Sequence, residues 1–124
     1  MIRKRWVAAT PEEVVRQTLV RRMIAEWGYP KGLIAVEKKI GSRRFDLVCY
    51  TKESEPLLLV ECKAGEIDEA AENQAVGYNA IVKAPFICLA CPSGLKTFWQ
   101  ERGGIASVPF LPSYIELYEF SRRI

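Results

Sequence analysis

Apolar side chains recur every four residues at Val15, Leu19, Met23 and Trp27, the spacing of one buried helix face. Thr10-Pro11-Glu12-Glu13 supplies a helix start: threonine as N-cap, proline at the first helical position, glutamate three residues past the cap. Gly28-Tyr29-Pro30 supplies the stop. The period then falls to two, predicting strands over 33–40 and 43–50 with Gly41-Ser42 as the turn between them. Leu57-Leu58-Leu59-Val60 is an unbroken apolar run, the pattern of a strand buried on both faces. A helix follows over 68–83, then an all-apolar strand over 86–91 and an edge strand over 96–100. Gly103-Gly104, Pro109 and Pro112 predict a loop, and Ser113-Tyr114-Ile115-Glu116 is a second capping box opening a short last helix. The order helix, three-strand meander, helix, strand, strand predicts an α/β fold with a mixed sheet of four or five strands flanked by helices. A right-handed helical crossover would make strands 57–64 and 86–91 parallel neighbours.

Two charges close the most apolar strand. Glu61 and Lys63 share a face with Leu57 and Leu59, and charged groups are rarely buried unless paired or bound to a metal. In the preceding strand, alternation puts Phe45, Leu47 and Cys49 on one face and Asp46, Val48 and Tyr50 on the other. The polar loop 51–56 implies an antiparallel hairpin, and if Tyr50 faces Leu57, Asp46 faces Glu61 with Cβ atoms about 4.5 to 5.5 Å apart. Facing carboxylates repel, and a shared proton or a cation relieves them. Hard oxygen ligands with open water positions suit magnesium, with manganese as substitute.

Length and composition narrow the chemistry. At 124 residues the chain is expected to form one domain over 1–124, with 27% charged and 49% hydrophobic residues as in ordinary globular proteins. A net charge of +3 permits contact with nucleic acid without requiring it. Lys38, Lys39, Arg43 and Arg44 form the densest basic cluster, Arg16 is a further candidate for phosphate contact, and Arg3, Lys4 and Arg5 read as a solvated tail. The chain has no histidine, which removes the usual general base and leaves hydrolysis to a metal-activated water. Cys49, Cys62, Cys88 and Cys91 fall in apolar strands and read as reduced. Cys88 and Cys91, three apart on a strand, point to opposite faces and cannot share a zinc ion. No apolar run has the length of a membrane span and no signal-peptide core opens the chain, so a cytoplasmic protein is expected.

Asp46 followed by Glu61-Cys62-Lys63 resembles the PD-(D/E)XK nuclease signature. The wider run is similar to the nuclease domain at the N-terminus of type I restriction enzyme R subunits. It comprises Pro11-Glu12-Glu13-Val14-Val15-Arg16-Gln17, Gly28-Tyr29-Pro30, Glu37, Arg44-Phe45-Asp46-Leu47-Val48, Leu59-Val60-Glu61-Cys62-Lys63-Ala64, and Gln74-Ala75 with Tyr78-Asn79. Phe45 stands where the motif has its proline, and the chain reads as a domain without the motor that follows in those subunits. The resemblance implies a restriction-endonuclease-like core and magnesium-dependent endonucleolytic cleavage of DNA in restriction or DNA processing. It makes Asp46, Glu61 and Lys63 catalytic, with the Cys62 backbone carbonyl as a further metal ligand. Glu13 or Glu37 would add a carboxylate to the metal site, although the capping box accounts for Glu13 and a surface ion pair for Glu37. Gln74 and Tyr78 resemble the QxxxY pair of RecB-type nucleases and would position substrate, or Tyr78 is a core aromatic. Expected partners are DNA and either a second copy or separate motor and specificity subunits. A non-cleaving DNA-binding module on the same fold is the alternative; an enzyme for a different phosphate ester is a third reading.

Overall fold

A computed structural model describes residues 10–123. The basic run Arg3, Lys4 and Arg5 lies outside the described residues. Helix α1 (Pro11–Ala25) leads into β1 (Ile34–Ile40), β2 (Arg43–Tyr50) and β3 (Pro56–Cys62). Helix α2 (Glu69–Val82) crosses to β4 (Phe86–Cys91), which continues through β5 (Gly94–Glu101) and β6 (Gly104–Val108) to α3 (Tyr114–Ser121). The sheet has six strands in sequence order, parallel between β3 and β4 and antiparallel at the other neighbours.

Four or five strands is therefore too few, because β6 forms where a loop is expected. Gly103 and Gly104, at φ +93° and +149°, make the tight turn that returns the chain along β5, pairing Glu101 with Gly104 and Thr97 with Val108. A glycine pair breaks a strand or turns a hairpin with equal ease, and five residues are too few for period two to decide.

The sheet carries a helix layer on each face. Leu19, Met23 and Leu117 from α1 and α3 close over Leu47, Cys49, Leu58, Val60, Phe86 and Cys88. Val82, Ala71 and Ala75 of α2 close over Leu59, Val48, Ile87 and Leu89 on the other side. Buried Tyr29 ties the segment after α1 to the segment before α3, its hydroxyl donating to the Pro112 carbonyl at 2.8 Å.

Two irregularities shape β2. At its hairpin end Tyr50 pairs with Pro56, not Leu57, because a bulge intervenes between Cys49 and Tyr50. Beyond the bulge, Cys49 pairs with Leu58, Val48 with Leu59 and Leu47 with Val60, and there the β2–β3 ladder stops. Asp46 and Glu61 are the next positions on that register. Alternation also fails here: Phe45 packs with Val48, Leu59 and Val82 under α2, not with Leu47 and Cys49. Across from Asp46, between the pairs Val36 with Leu47 and Lys38 with Phe45, Glu37 has φ +51°, a left-handed kink in β1.

Candidate active site

The end of the β2–β3 ladder leaves the Cys62 amide facing β2 without a backbone partner. Asp46 fills that gap with its side chain, Oδ2 accepting from the Cys62 N–H at 2.8 Å. The amide of Lys63 points the other way and donates to the Ala90 carbonyl at 2.7 Å. Because the N–H and C=O of one strand residue project to the same side, the Cys62 carbonyl also faces the gap held open by Asp46.

Glu61 is 7% exposed, and its Oε1 is buried with no hydrogen-bond partner among the described residues. Burial pushes its carboxyl up to about 8, the neighbouring Asp46 carboxylate adds to the rise, and the Lys63 ammonium opposes it. Lys63 donates to Oε1 of Gln74, one turn into α2. It forms no ion pair with Asp46 among the described residues. A cleft of about 430 Å³ opens beside this point, lined by Glu12, Lys63, Gly65, Asp68 and Gln74. Two carboxylates, a backbone carbonyl and an adjacent ammonium thus meet at the carboxyl end of a central strand.

The family described as Type I restriction enzyme R protein N terminus (HSDR_N) matches residues 11–103. The chain belongs to this family. The match runs from α1 to the β5–β6 turn, so it takes in every residue of the cluster just described. Among solved structures, the type IIG restriction endonuclease BpuSI aligns with 87% of this chain at 20% identity and a TM-score of 0.46, and the chain spans 14% of it. No curated protein matches the chain in sequence.

The remaining candidates divide between the site and its surroundings. Thr10 caps α1, its Oγ1 accepting from the Glu13 N–H at 3.2 Å, and Glu12, one residue before Glu13, lines the cleft. Glu12 was discernible by spacing, since it shares a helical stripe with Arg16, Leu19 and Met23. Glu37 accepts from Arg16 Nη1 at 3.0 Å, an ion pair linking β1 to α1. Among the described residues no set of three or more cysteine, aspartate and glutamate side chains converges on one point. Tyr78 turns from Gln74 toward the core, edge-on to Phe45 at 6.0 Å with the Arg43 guanidinium 4.5 Å from its ring centre. Asn79 is structural, bonding both the N–H and the C=O of Ala84 at 2.9 and 2.8 Å and so fixing the turn from α2 into β4.

The four basic residues of the β1–β2 hairpin do not form one cluster. Lys39 and Arg44 are direct cross-strand partners on one face. Lys38 and Arg43 lie on the α2 face, over the rings of Tyr50 and Tyr78. All four sit where the hairpin runs past the end of the β2–β3 ladder, at the site's end of the sheet. The four cysteines are free, and the Cys49, Cys62 and Cys88 thiols are pushed up to about 12 by burial. No helix is long and apolar enough to cross a membrane among the described residues.

Proposed function

We propose that this domain hydrolyses DNA phosphodiester bonds with magnesium or manganese held by Asp46, Glu61 and the Cys62 carbonyl. The observation that carries the reading is the partnerless, buried Oε1 of Glu61 beside a second carboxylate. A buried acceptor without a partner is costly, and a hard divalent cation is what such an oxygen set takes. The family's description as a type I restriction enzyme R protein supports DNA as substrate and a place in a larger assembly, in which separate motor and specificity subunits would be the partners.

When bound, such an ion polarises a phosphoryl oxygen and lowers the pKa of a water. Asp46 and Glu61 supply the negative charge that holds it, and Asp46 is itself fixed by the Cys62 amide. Lys63 lies one strand step beyond, where its ammonium orients the attacking water and stabilises charge developing on the phosphoryl group. Gln74 holds Lys63 from α2 through its amide oxygen, which restricts the ammonium without neutralising it.

Purified protein assayed on plasmid, linear duplex and single-stranded DNA, with magnesium, manganese or chelator, tests the proposal. Lys63→Ala is expected to lower cleavage by orders of magnitude while metal and DNA binding persist, because its cation acts on the transition state. Asp46→Asn keeps an oxygen for the Cys62 amide but loses the charge, so it should abolish the metal-induced rise in melting temperature. DNA binding by the parent with no metal response and no cleavage on any substrate would favour the non-cleaving module.

A further inference from the structure

Helix α2 turns Ala71, Ala75, Tyr78 and Val82 to the sheet. At 3.6 residues per turn, the face directly opposite carries Glu69, Asn73, Val76 and Ala80, spaced four, three and four apart. All four are exposed, Val76 at 52%. From Asn73 to Val82 the helix has no charged residue, although the solvent face of a helix ordinarily carries charge. Gly77 is also exposed, in mid-helix, where glycine weakens a helix relative to alanine. A Cβ there would meet nothing within 4 Å. Packing within the chain therefore gives no reason for a glycine, whereas close approach by another backbone does.

We infer that this face of α2 is the twofold interface of a homodimer, with the two copies of the helix antiparallel across Val76. An axis through Val76 sets that residue on its own copy and Asn73 against the partner's Ala80. It also brings Glu69 beside the partner's Lys83 at both ends of the contact. Neither Glu69 nor Lys83 has an ion-pair partner among the described residues. Antiparallel helices additionally place each negative carboxyl end near a positive amino end. An uncharged centre flanked by opposite charges that pair only through a twofold favours a second copy over an unrelated partner. The helix has 14 residues, a length of about 21 Å, so the contact is smaller than the usual interface of about 1,600 Å² and the dimer is a weak, concentration-dependent one. The inference rests on packing and charge and does not depend on the cleavage reading.

Sedimentation equilibrium of the full chain over a wide concentration range tests it. The parent should show a monomer–dimer equilibrium. Val76→Glu should raise the dissociation constant about tenfold or more. Gly77→Gln should raise the melting temperature of the monomer and yet weaken association, a combination that misfolding cannot produce. Glu69→Lys or Lys83→Glu alone should weaken the dimer, and the two together should restore it. A monomer at every concentration, or a dimer indifferent to Val76→Glu and to the charge exchange, overturns the inference.

Discussion

Glu61 couples the stability of the domain to pH. Its carboxyl titrates near 4.5 when free and at about 8 in the fold, so between those values the folded state holds the extra proton. Stability must therefore fall as pH rises through that window, by at most about 1.4 kcal/mol per pH unit from this group. In chelator, Glu61→Gln should flatten the dependence and be more stable than the parent at pH 8, as thermal melts at several pH values would show. Metal needs the ionised form, so the metal-induced rise in melting temperature should grow with pH and vanish in Glu61→Gln. Equal pH slopes for parent and variant would remove Glu61 as the titrating group. The nearness of Asp46 to Glu61 was legible from the hairpin register, which holds from Cys49 and Leu58 onward although Tyr50 pairs with Pro56 and not Leu57. The bond from Asp46 to the Cys62 amide was not, since it forms only where a backbone ladder fails, and no side-chain pattern records that failure. It also means that Asp46→Ala strands an amide, at about 1–3 kcal/mol, besides relieving Glu61.

At the scale of elements, the β1–β2 hairpin is a two-stranded arm where it passes beyond β3, and its charges serve different ends. Lys39 and Arg44 face each other as like charges, an arrangement that disfavours the strand pair unless an anion lies across it. Lys38 and Arg43 are engaged by aromatic rings. Replacing Lys39 and Arg44 with alanine should weaken DNA binding and flatten the plot of log affinity against log salt by about one unit for each phosphate no longer neutralised. The Lys38 and Arg43 pair should change the slope less and, through Tyr78, cost about 0.5–1 kcal/mol of stability. Fluorescence titrations at several salt concentrations separate the two, and identical slopes for parent and the Lys39 and Arg44 variant would reduce that pair to a solvated face. The sequence showed four cations in a hairpin; it could not show their division, because Phe45 and its neighbours leave strict alternation at Asp46. Gln74 and Tyr78 were likewise legible as one helix face, but only the packing of α2 sends one to Lys63 and the other to Phe45.

The whole molecule extends beyond the family match. Residues 104–123 lie past its end, yet they supply β6, buried Leu111 and Leu117, and the Pro112 carbonyl that Tyr29 bonds. Phe120 packs edge-on against Phe86 and Trp99, both at 5.8 Å. Truncation after residue 103 should accordingly expose the α1 side of the core and abolish a cooperative melt, measured by circular dichroism. A truncated chain melting like the parent would show that α3 is dispensable. The helix–meander–helix–strand order was legible because α1 and α2 open on N-capping residues and the central strands are short unbroken apolar runs bounded by turn residues. The closing segment was not, because its turn residues and prolines mask a short strand.

Asp46 holding the Cys62 amide makes that single N–H a spectroscopic witness to events at the carboxylates. The Asp46 side-chain oxygen shares its electrons between the amide and anything else that draws on it. The amide proton and nitrogen resonances of Cys62 should therefore move on addition of diamagnetic magnesium, as should those of the Lys63 amide, whose nitrogen is joined to the Cys62 carbonyl, while the amides of β5 and β6 move far less.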